Sequence, residues 1–338
     1  IKIPVLQIGG WFDQLLWATF ENFNSMKKYG GSEFARNNQY IMIGPWMHGP
    51  PQNFIGEMGF GRNARVSGID IHRLTIQFFD KYLKGENIDI PYVRYFVLGK
   101  NCWKESESWP PESAEKVKIY LHSNGKANTL TGDGFLNSDV PGNEPPDKFV
   151  YTPLNPVPTV GGKIVPTRNL VPGPFDQTAI ELREDVLCYT TEILKEDLEV
   201  PGPVKLHLYA STTVEDTDFT AKLIDVHPNG RAYNIADGIQ RVSYRDWKNK
   251  EEPGIPSKVY KYIIDLGHIS ILFFKGHRIR VEISSSNFPL YDRNMNTGNK
   301  ISEDTAGKQA LQTIYHDKNY PSYLELPISS KRVRIQTL

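Results

Sequence analysis

An aspartate and a histidine follow two apolar segments near the beginning of this chain. Asp13 ends the segment "IPVLQIGGWFD", and His48 ends "QYIMIGPWMH". In a catalytic triad, the histidine takes the proton of a nucleophilic serine and later returns it to the leaving group, while the acid holds the imidazole in the required tautomer. The residue types therefore predict that Asp13 and His48 are the acid and the base of such a triad. The alternative is a helix N-cap and a structural loop histidine.

The elements around these two residues are predicted to bring them together. Apolar runs such as Gln39–Ile43 are typical of buried parallel strands, and amphipathic helices are predicted over Leu15–Lys28 and Ile69–Leu83, the second with Gly85 as its C-cap. A strand–helix–strand–helix order indicates a parallel α/β sheet. Because consecutive parallel strands end at one edge of a sheet, we expect Asp13 and His48 to converge there.

The second half of the chain has a different pattern. After about residue 115, short alternating segments such as "VKIYLHS", "VKLHLYAS" and "HRIRVEISSS" follow one another with long connections. Between Pro141 and Pro174 the chain is rich in proline and is not expected to form a helix. This pattern favours an antiparallel β-sandwich, with a jelly roll as the expected topology.

Long blocks of the sequence are characteristic of one group of hydrolases: "PVLQIGGWFD", "IMIGPWMHGP", "HRLTIQFFDKYLKG", "EDTDFTAKLIDVHPNGRAYNIADGIQR" and "GHRIRVEISSSNFPLYDRNMNTG". Through these blocks the chain resembles the cocaine-esterase-like (CocE/NonD) and X-Pro dipeptidyl-peptidase hydrolases. The resemblance implies an α/β plus all-β fold. Residues 1–115 would be the C-terminal part of an α/β-hydrolase domain, and residues 116–338 a jelly-roll β-sandwich. It also implies that the aspartate of "GGWFD" and the histidine of "GPWMH", which are Asp13 and His48, are the triad acid and base.

No nucleophile elbow of the type GxSxG is present in the sequence. The segment "GGSEF" at residues 30–34 lacks the final glycine, and the triad order of this fold places the serine before Asp13. We therefore expect the chain to be the C-terminal part of a longer polypeptide. Its upstream part would supply the serine, the oxyanion-hole donors and further strands, packed against Val5–Ile8 or Ile41–Ile43.

The residues after Asp13 bear on the substrate. In the relatives that hydrolyse α-amino-acid esters, acids at the second and third positions after the triad aspartate help to hold the substrate ammonium, and here these positions are Leu15 and Leu16. Together with Trp46 they are predicted to line a pocket for an uncharged acyl group. The alternative is that Leu15 and Leu16 form the first core-facing turn of the helix.

The predicted function is therefore a serine hydrolase of esters or amides that acts through an acyl-enzyme on a small ester, an amide or a short peptide. This chain alone is expected to be inactive. An X-Pro dipeptidyl-peptidase is the alternative within this class. A non-catalytic jelly-roll module that binds a ligand is the alternative from another class.

Composition excludes several other functions. The chain has 39 basic and 39 acidic residues, which predicts neither a nucleic-acid nor a membrane partner, and no apolar run approaches the roughly 20 residues of a membrane span. Its two cysteines indicate neither a disulfide framework nor a zinc cluster, so we expect no cofactor, no metal and a cytoplasmic location. The oligomeric state stays open. The acidic residues near position 216 lack the spacing of a calcium loop. The remaining histidines are interpreted as structural: His72, His122, His207, His227, His268, His277 and His316.

Overall fold

The computed structural model describes residues 1–65, 71–246, 251–300 and 303–329. Its helices are α1 (Leu16–Tyr29), α2 (Glu33–Asn37), α3 (Ile71–Phe79) and α4 (Thr178–Glu181). The strands of the first part are β1 (Val5–Phe12), β2 (Gln39–Met47), β3 (Phe54–Ile55), β4 (Met58–Gly59), β5 (Val93–Val97) and β6 (Cys102–Ser106). Those of the second part are β7 (Ala114–His122), β8 (Phe135–Asn137), β9 (Asp147–Tyr151), β10 (Leu187–Thr191), β11 (Leu198–Thr212), β12 (Asp218–Val226), β13 (Ala232–Arg241), β14 (Tyr260–Phe273), β15 (Arg278–Ser284), β16 (Ala310–Tyr315) and β17 (Tyr323–Ser329).

The first part contains a four-stranded sheet in the order β1-β2-β5-β6. β2 pairs in parallel with both β1 and β5, and β6 pairs antiparallel with β5. The pattern predicts only β1 and β2, because the apolar residues of β5 form a short run that begins after Arg94, and β6 is largely polar. Of the two places expected for an upstream strand, Ile41–Ile43 is already paired on both sides, since β2 lies between β1 and β5, whereas β1 with Val5–Ile8 lies at an edge of the described sheet.

The helices next to this sheet agree with the predicted periodicity. α1 buries Leu16, Phe20 and Phe23, which lie on one face of the helix. α3 continues into a π-helical turn, Asp80–Lys84, and ends at Gly85, whose φ of 74° is the left-handed conformation that a C-cap requires. The predicted start of this helix at Ile69 lies outside the described residues.

The second part is a β-sandwich built from eleven strands, β7 to β17, as the alternation predicts. The pairs are antiparallel except for β8 with β10. Alternate residues of β15, Ile279, Val281 and Ile283, are fully buried, because one face of this strand packs into the core. The proline-rich crossing at 141–174 contains β9 and no helix.

An aromatic cluster joins the sheet to the sandwich. Trp109 lies in the connection between β6 and β7, and its ring centroid is 5.7 Å from that of Trp11 on β1 and 5.3 Å from that of Phe20 on α1. From the sandwich, His268 on β14 packs on Phe20 at 4.0 Å and accepts a hydrogen bond of 2.9 Å from the indole of Trp109. The two parts therefore share one continuous hydrophobic core. Among the described helices, none is both long and apolar enough to cross a membrane.

Candidate active site

A β-bulge aligns Asp13 with His48. In the parallel register of β1 and β2, Gly10 lies beside Gly44, but Phe12 lies beside Met47, so β2 contains one extra residue between the two pairs. Without this bulge, residue 13 would lie beside residue 47. Bulges next to functional sites commonly re-aim a side chain in this way. The result is that Nδ1 of His48 lies 3.2 Å from Oδ2 of Asp13, within hydrogen-bond reach.

The two carboxylate oxygens of Asp13 have different partners. Oδ1 accepts a hydrogen bond of 2.8 Å from the backbone N–H of Leu15, at the start of α1, while Oδ2 faces the imidazole. The bond to Leu15 forms an Asx turn before α1, whose N-cap is Leu15, so Asp13 is not the N-cap of this helix. The side chain of Asp13 is 15% exposed and that of His48 is 52% exposed, so the far side of the imidazole is open to a reacting group.

Two glycines allow this close approach. A Cβ on Gly10 would lie 2.2 Å from the carbonyl oxygen of Trp46, and a Cβ on Gly44 would lie 2.4 Å from the Trp46 indole ring. The indole itself is buried and donates a 2.7 Å hydrogen bond to the carbonyl of Ala64. Its side chain thus supports the end of β2 from inside the core.

Of the three residues predicted to line a substrate pocket, one lies at the surface and two lie in the core. Leu15 is 52% exposed and lies next to Asp13, whereas Leu16 and Trp46 are each 2% exposed. Leu16 therefore fits the alternative of a core-facing helical turn, while Leu15 presents an apolar side chain to the surface beside the Asp13–His48 pair.

A cleft lies beside α1, where the sequence pattern predicts no site. It has a volume of about 220 Å³ and lies between Gln14 and Trp17 on one side and Lys163, Asp237 and Asp265 on the other. The side-chain oxygen of Gln14 is buried there without a hydrogen-bond partner. In the sequence, this cleft is indicated by Gln14, because Gln14 directly follows Asp13. The residues on the opposite wall are more than 140 positions away and carry no such signal.

No serine among the described residues forms a hydrogen bond with His48. In the "GGSEF" segment, the Ser32 hydroxyl accepts a bond of 3.0 Å from the backbone N–H of Ala35 and donates one of 3.0 Å to the carbonyl of Lys2. Ser32 is thus the N-cap of α2.

A second grouping of serine, histidine and aspartate lies inside the sandwich. Oδ2 of Asp147 is 2.9 Å from Nε2 of His316 and accepts a 2.6 Å hydrogen bond from Ser123. Burial opposes protonation of His316, but Asp147 and Glu144 outweigh burial and raise the pKa of the imidazole. Ser123, Asp147 and His316 are all buried, so a substrate cannot reach the serine hydroxyl, whose proton is already donated to the Asp147 carboxylate. This grouping is therefore a structural network.

Of the acidic residues Glu215, Asp216 and Asp218, the two aspartates are paired within the protein. Asp218 forms hydrogen bonds of 2.8 and 3.0 Å with the Arg241 guanidinium, and Asp216 accepts bonds from the Ser243 backbone and the Asn294 amide. These partners occupy the carboxylate oxygens that a calcium ion would need.

Comparisons with known proteins agree with this architecture. Residues 87–325 match the family described as the X-Pro dipeptidyl-peptidase C-terminal non-catalytic domain, so Asp13 and His48 precede the matched region. Cocaine esterase from Rhodococcus sp. (strain MB1 Bresler) is 37% identical over 333 residues, which are 97% of this chain and 57% of the esterase.

Two solved structures superpose over almost the whole chain. An aminopeptidase from the marine sediment archaeon Thaumarchaeota archaeon has a TM-score of 0.81 at 30% identity, covering 97% of this chain and 55% of the aminopeptidase. An α-amino acid ester hydrolase has a TM-score of 0.82 at 28% identity, covering 96% of this chain and 55% of the hydrolase. The chain spans a little over half the length of each of these three relatives. It therefore belongs to the family of proteins with an X-Pro dipeptidyl-peptidase C-terminal domain, and within that family it is similar to the CocE/NonD hydrolases.

Proposed function

We propose that this chain supplies the acid and the base of a Ser–Asp–His triad to a serine hydrolase that cleaves esters or amides through an acyl-enzyme. The observation that carries the proposal is the 3.2 Å contact between Asp13 and His48 at the ends of adjacent parallel strands. In this arrangement the exposed Nε2 of His48 takes the proton of the serine as it attacks the acyl carbon. The same nitrogen then delivers the proton to the leaving alcohol or amine.

Asp13 acts on the reaction through His48. With Nδ1 held by the carboxylate, the imidazole keeps its free nitrogen towards the reacting serine, and the carboxylate stabilises the imidazolium that forms after proton transfer. The hydrogen bond from the Leu15 backbone fixes the other carboxylate oxygen, so the acid keeps its orientation when the imidazole becomes charged.

The nucleophile comes from outside this chain in the proposed enzyme. Residues 1–115 would then be the C-terminal part of an α/β-hydrolase domain, and 116–338 its jelly roll. The free edge of β1 supports this proposal, because apolar side chains near it are strongly exposed: Ile1 at 75%, Ile3 at 65% and Ile8 at 41%. An upstream strand paired with β1 would cover this edge and deliver a serine from the same side of the sheet.

An uncharged acyl group suits the site best. The exposed residue next to Asp13 is Leu15, which offers no charge to a substrate ammonium. A second candidate is a peptidase that requires a free amino terminus, because one relative is an aminopeptidase and the cleft beside α1 contains Asp237 and Asp265. Lys163 in the same cleft works against that candidate, since its ammonium repels a substrate cation.

A fluorophosphonate probe tests the proposal in the full-length polypeptide. Attack by the active serine forms a phosphorus–oxygen bond and expels fluoride, so a hydrolase becomes labelled and a ligand-binding module does not. We expect rapid labelling of the parent and much slower labelling of His48→Ala. Absence of labelling in the parent would contradict the proposal. Initial rates on neutral acyl esters, α-amino-acid esters and X-Pro anilides then separate the two candidate substrate classes.

A further inference from the structure

Two histidines and an aspartate meet at one end of the sandwich, outside the proposed catalytic pair. Asp225 is the penultimate residue of β12, His227 begins the turn that leads to β13, and His277 immediately precedes β15. Because β15 pairs with β12, with Asp225 beside Ile279, residues distant in the sequence come together here. Within the described residues, one potential ligand atom from each of the three side chains lies within 4.8 Å of the other two.

The spacing of these atoms is close to that of a metal coordination sphere. Oδ1 of Asp225 is 2.8 Å from Nδ1 of His277, and Oδ2 is 3.2 Å from Nε2 of His227. In a tetrahedral zinc site with bonds of about 2.0 Å, neighbouring ligand atoms are about 3.3 Å apart. Small side-chain shifts would therefore place all three atoms around one ion.

One of the imidazole nitrogens makes no hydrogen bond among the described residues. Nε2 of His227 is buried, and Oδ2 of Asp225 lies 3.2 Å from it without forming a well-aligned hydrogen bond. Burying a polar nitrogen without a partner is costly. A metal ion would use the lone pair of this nitrogen, so the orphaned atom is the observation that separates a metal site from a simple hydrogen-bonded array.

The ligand types also suit a particular class of cation. Two imidazoles with one carboxylate select a borderline transition metal, since calcium and magnesium prefer oxygen ligands alone.

The cluster opens into a cleft between the sandwich and the first part of the chain. This cleft has a volume of about 400 Å³, and residues from the β1 and β4 region, including Phe12 and Met58, form the wall opposite the histidines. It has room for a water molecule as a fourth ligand. We propose that Asp225, His227 and His277 bind a zinc ion that ties the β12–β13 turn to the start of β15, with the fourth coordination position facing this cleft.

Metal binding to the full-length polypeptide tests this inference. The protein is stripped with a chelator, and Zn²⁺ binding is then measured by equilibrium dialysis, with visible absorption of the Co²⁺-substituted protein reporting the coordination. We expect about one equivalent of zinc per chain and an increase of several degrees in the thermal midpoint on zinc addition. His227→Gln removes one ligand and is expected to weaken zinc binding at least tenfold, whereas His72→Gln, at an exposed histidine of α3, is expected to bind like the parent.

Two further readouts keep the test decisive. His277→Gln removes a different ligand, and the circular dichroism of each variant shows whether it is folded. If the parent and both folded variants bind zinc equally weakly, the three residues form a hydrogen-bonded array only and the inference is wrong. If neither variant folds, the Co²⁺ spectrum of the parent decides: tetrahedral bands support the site, and their absence overturns it. Because fluorophosphonate labelling depends on His48 and not on zinc, it should persist after chelation, which separates this inference from the proposed function.

Discussion

The backbone carbonyl oxygen of Trp46 occupies the space that a side chain on Gly10 would need, since a Cβ there would lie only 2.2 Å away. The Trp46 carbonyl and a Cβ at position 10 would both be held in place by the backbone. Neither could move away from the other without separating β1 from β2. The alignment of Asp13 with His48 therefore depends on the absence of a side chain at position 10.

Gly10→Ala is accordingly expected to weaken both stability and activity. Overpacking of this kind costs about 1–3 kcal/mol of unfolding free energy, and a displacement of the catalytic pair by about 1 Å reduces kcat/KM on the order of 10²-fold. Urea denaturation and initial rates on the full-length enzyme measure the two effects. Gly142→Ala is the matched control, because no atom lies within 4 Å of a Cβ there. Parent-like rates for Gly10→Ala would show that the strand ends can adapt.

Substitutions of the proposed catalytic pair should reduce turnover more than substrate binding. His48→Ala removes the base, and Asp13→Asn disturbs the tautomer while keeping an acceptor for the Leu15 backbone. In other triads such changes lower kcat on the order of 10⁴-fold, with a smaller effect on KM. His72→Ala, at an exposed histidine of α3, should leave both constants close to those of the parent. Near-normal turnover by His48→Ala would refute the assignment.

The indole of Trp109 is expected to contribute to stability through its hydrogen bond to His268. Trp109→Phe keeps most of the ring packing but leaves Nδ1 of His268 buried without a donor, which costs about 1–3 kcal/mol. Chemical denaturation monitored by circular dichroism measures the loss. Trp17→Phe serves as the control, because Trp17 is 67% exposed and should change stability by less than about 0.5 kcal/mol. Equal effects of the two substitutions would contradict the role given to this hydrogen bond.

The same histidine should make stability depend on pH. Burial, reinforced by Lys163 and Lys205, lowers the pKa of His268 to about 3, while in the unfolded chain it is near 6.5. Between these values the unfolded state binds a proton that the folded state does not, so stability falls as the pH is lowered. From pH 7 to pH 5, the parent should lose about 2 kcal/mol more than His268→Gln, which has no titrating group at this position. Identical losses in the two proteins would mean that the imidazole is not held neutral.

The chain by itself is expected to associate. β1 is an edge strand with exposed apolar neighbours, and such edges pair with other chains. Light scattering and binding of a hydrophobic dye should be high for residues 1–338 alone and low for the full-length polypeptide. A monomeric, cooperatively unfolding 338-residue chain would show that the edge needs no cover.

Some parts of the fold and site could be predicted because their causes are local. Helix α1 and the strand alternation of the sandwich follow from periodic apolar residues, and the expected convergence of Asp13 and His48 follows from the shared edge of parallel strands. The pattern does not predict β5, because Phe96 and Val97 after Tyr95 end its alternation, and its pairing with β2 depends on distant residues.

Other features arise only from tertiary structure. The bulge at Trp46 cannot be counted from the sequence, although it decides which residue of β2 faces Asp13. The cleft beside α1 and the grouping of His227 with His277 join positions that are far apart in the chain. Histidines interpreted as structural one at a time therefore form a group only when the sheet brings them together.

The aromatic junction around Trp109 also restricts how the site can open. Trp11 lies on the strand before Asp13 and Phe20 on the helix after it, and both pack directly against Trp109. The indole of Trp109 in turn donates a hydrogen bond to His268 of the sandwich. A rotation of the sandwich away from the sheet would expose the buried surfaces of all three rings to water. A large hinge motion between these two parts is therefore disfavoured. In the proposed enzyme, substrate entry and product release would then depend on loops or on segments outside this rigid unit, and the sandwich would be a fixed wall of the site.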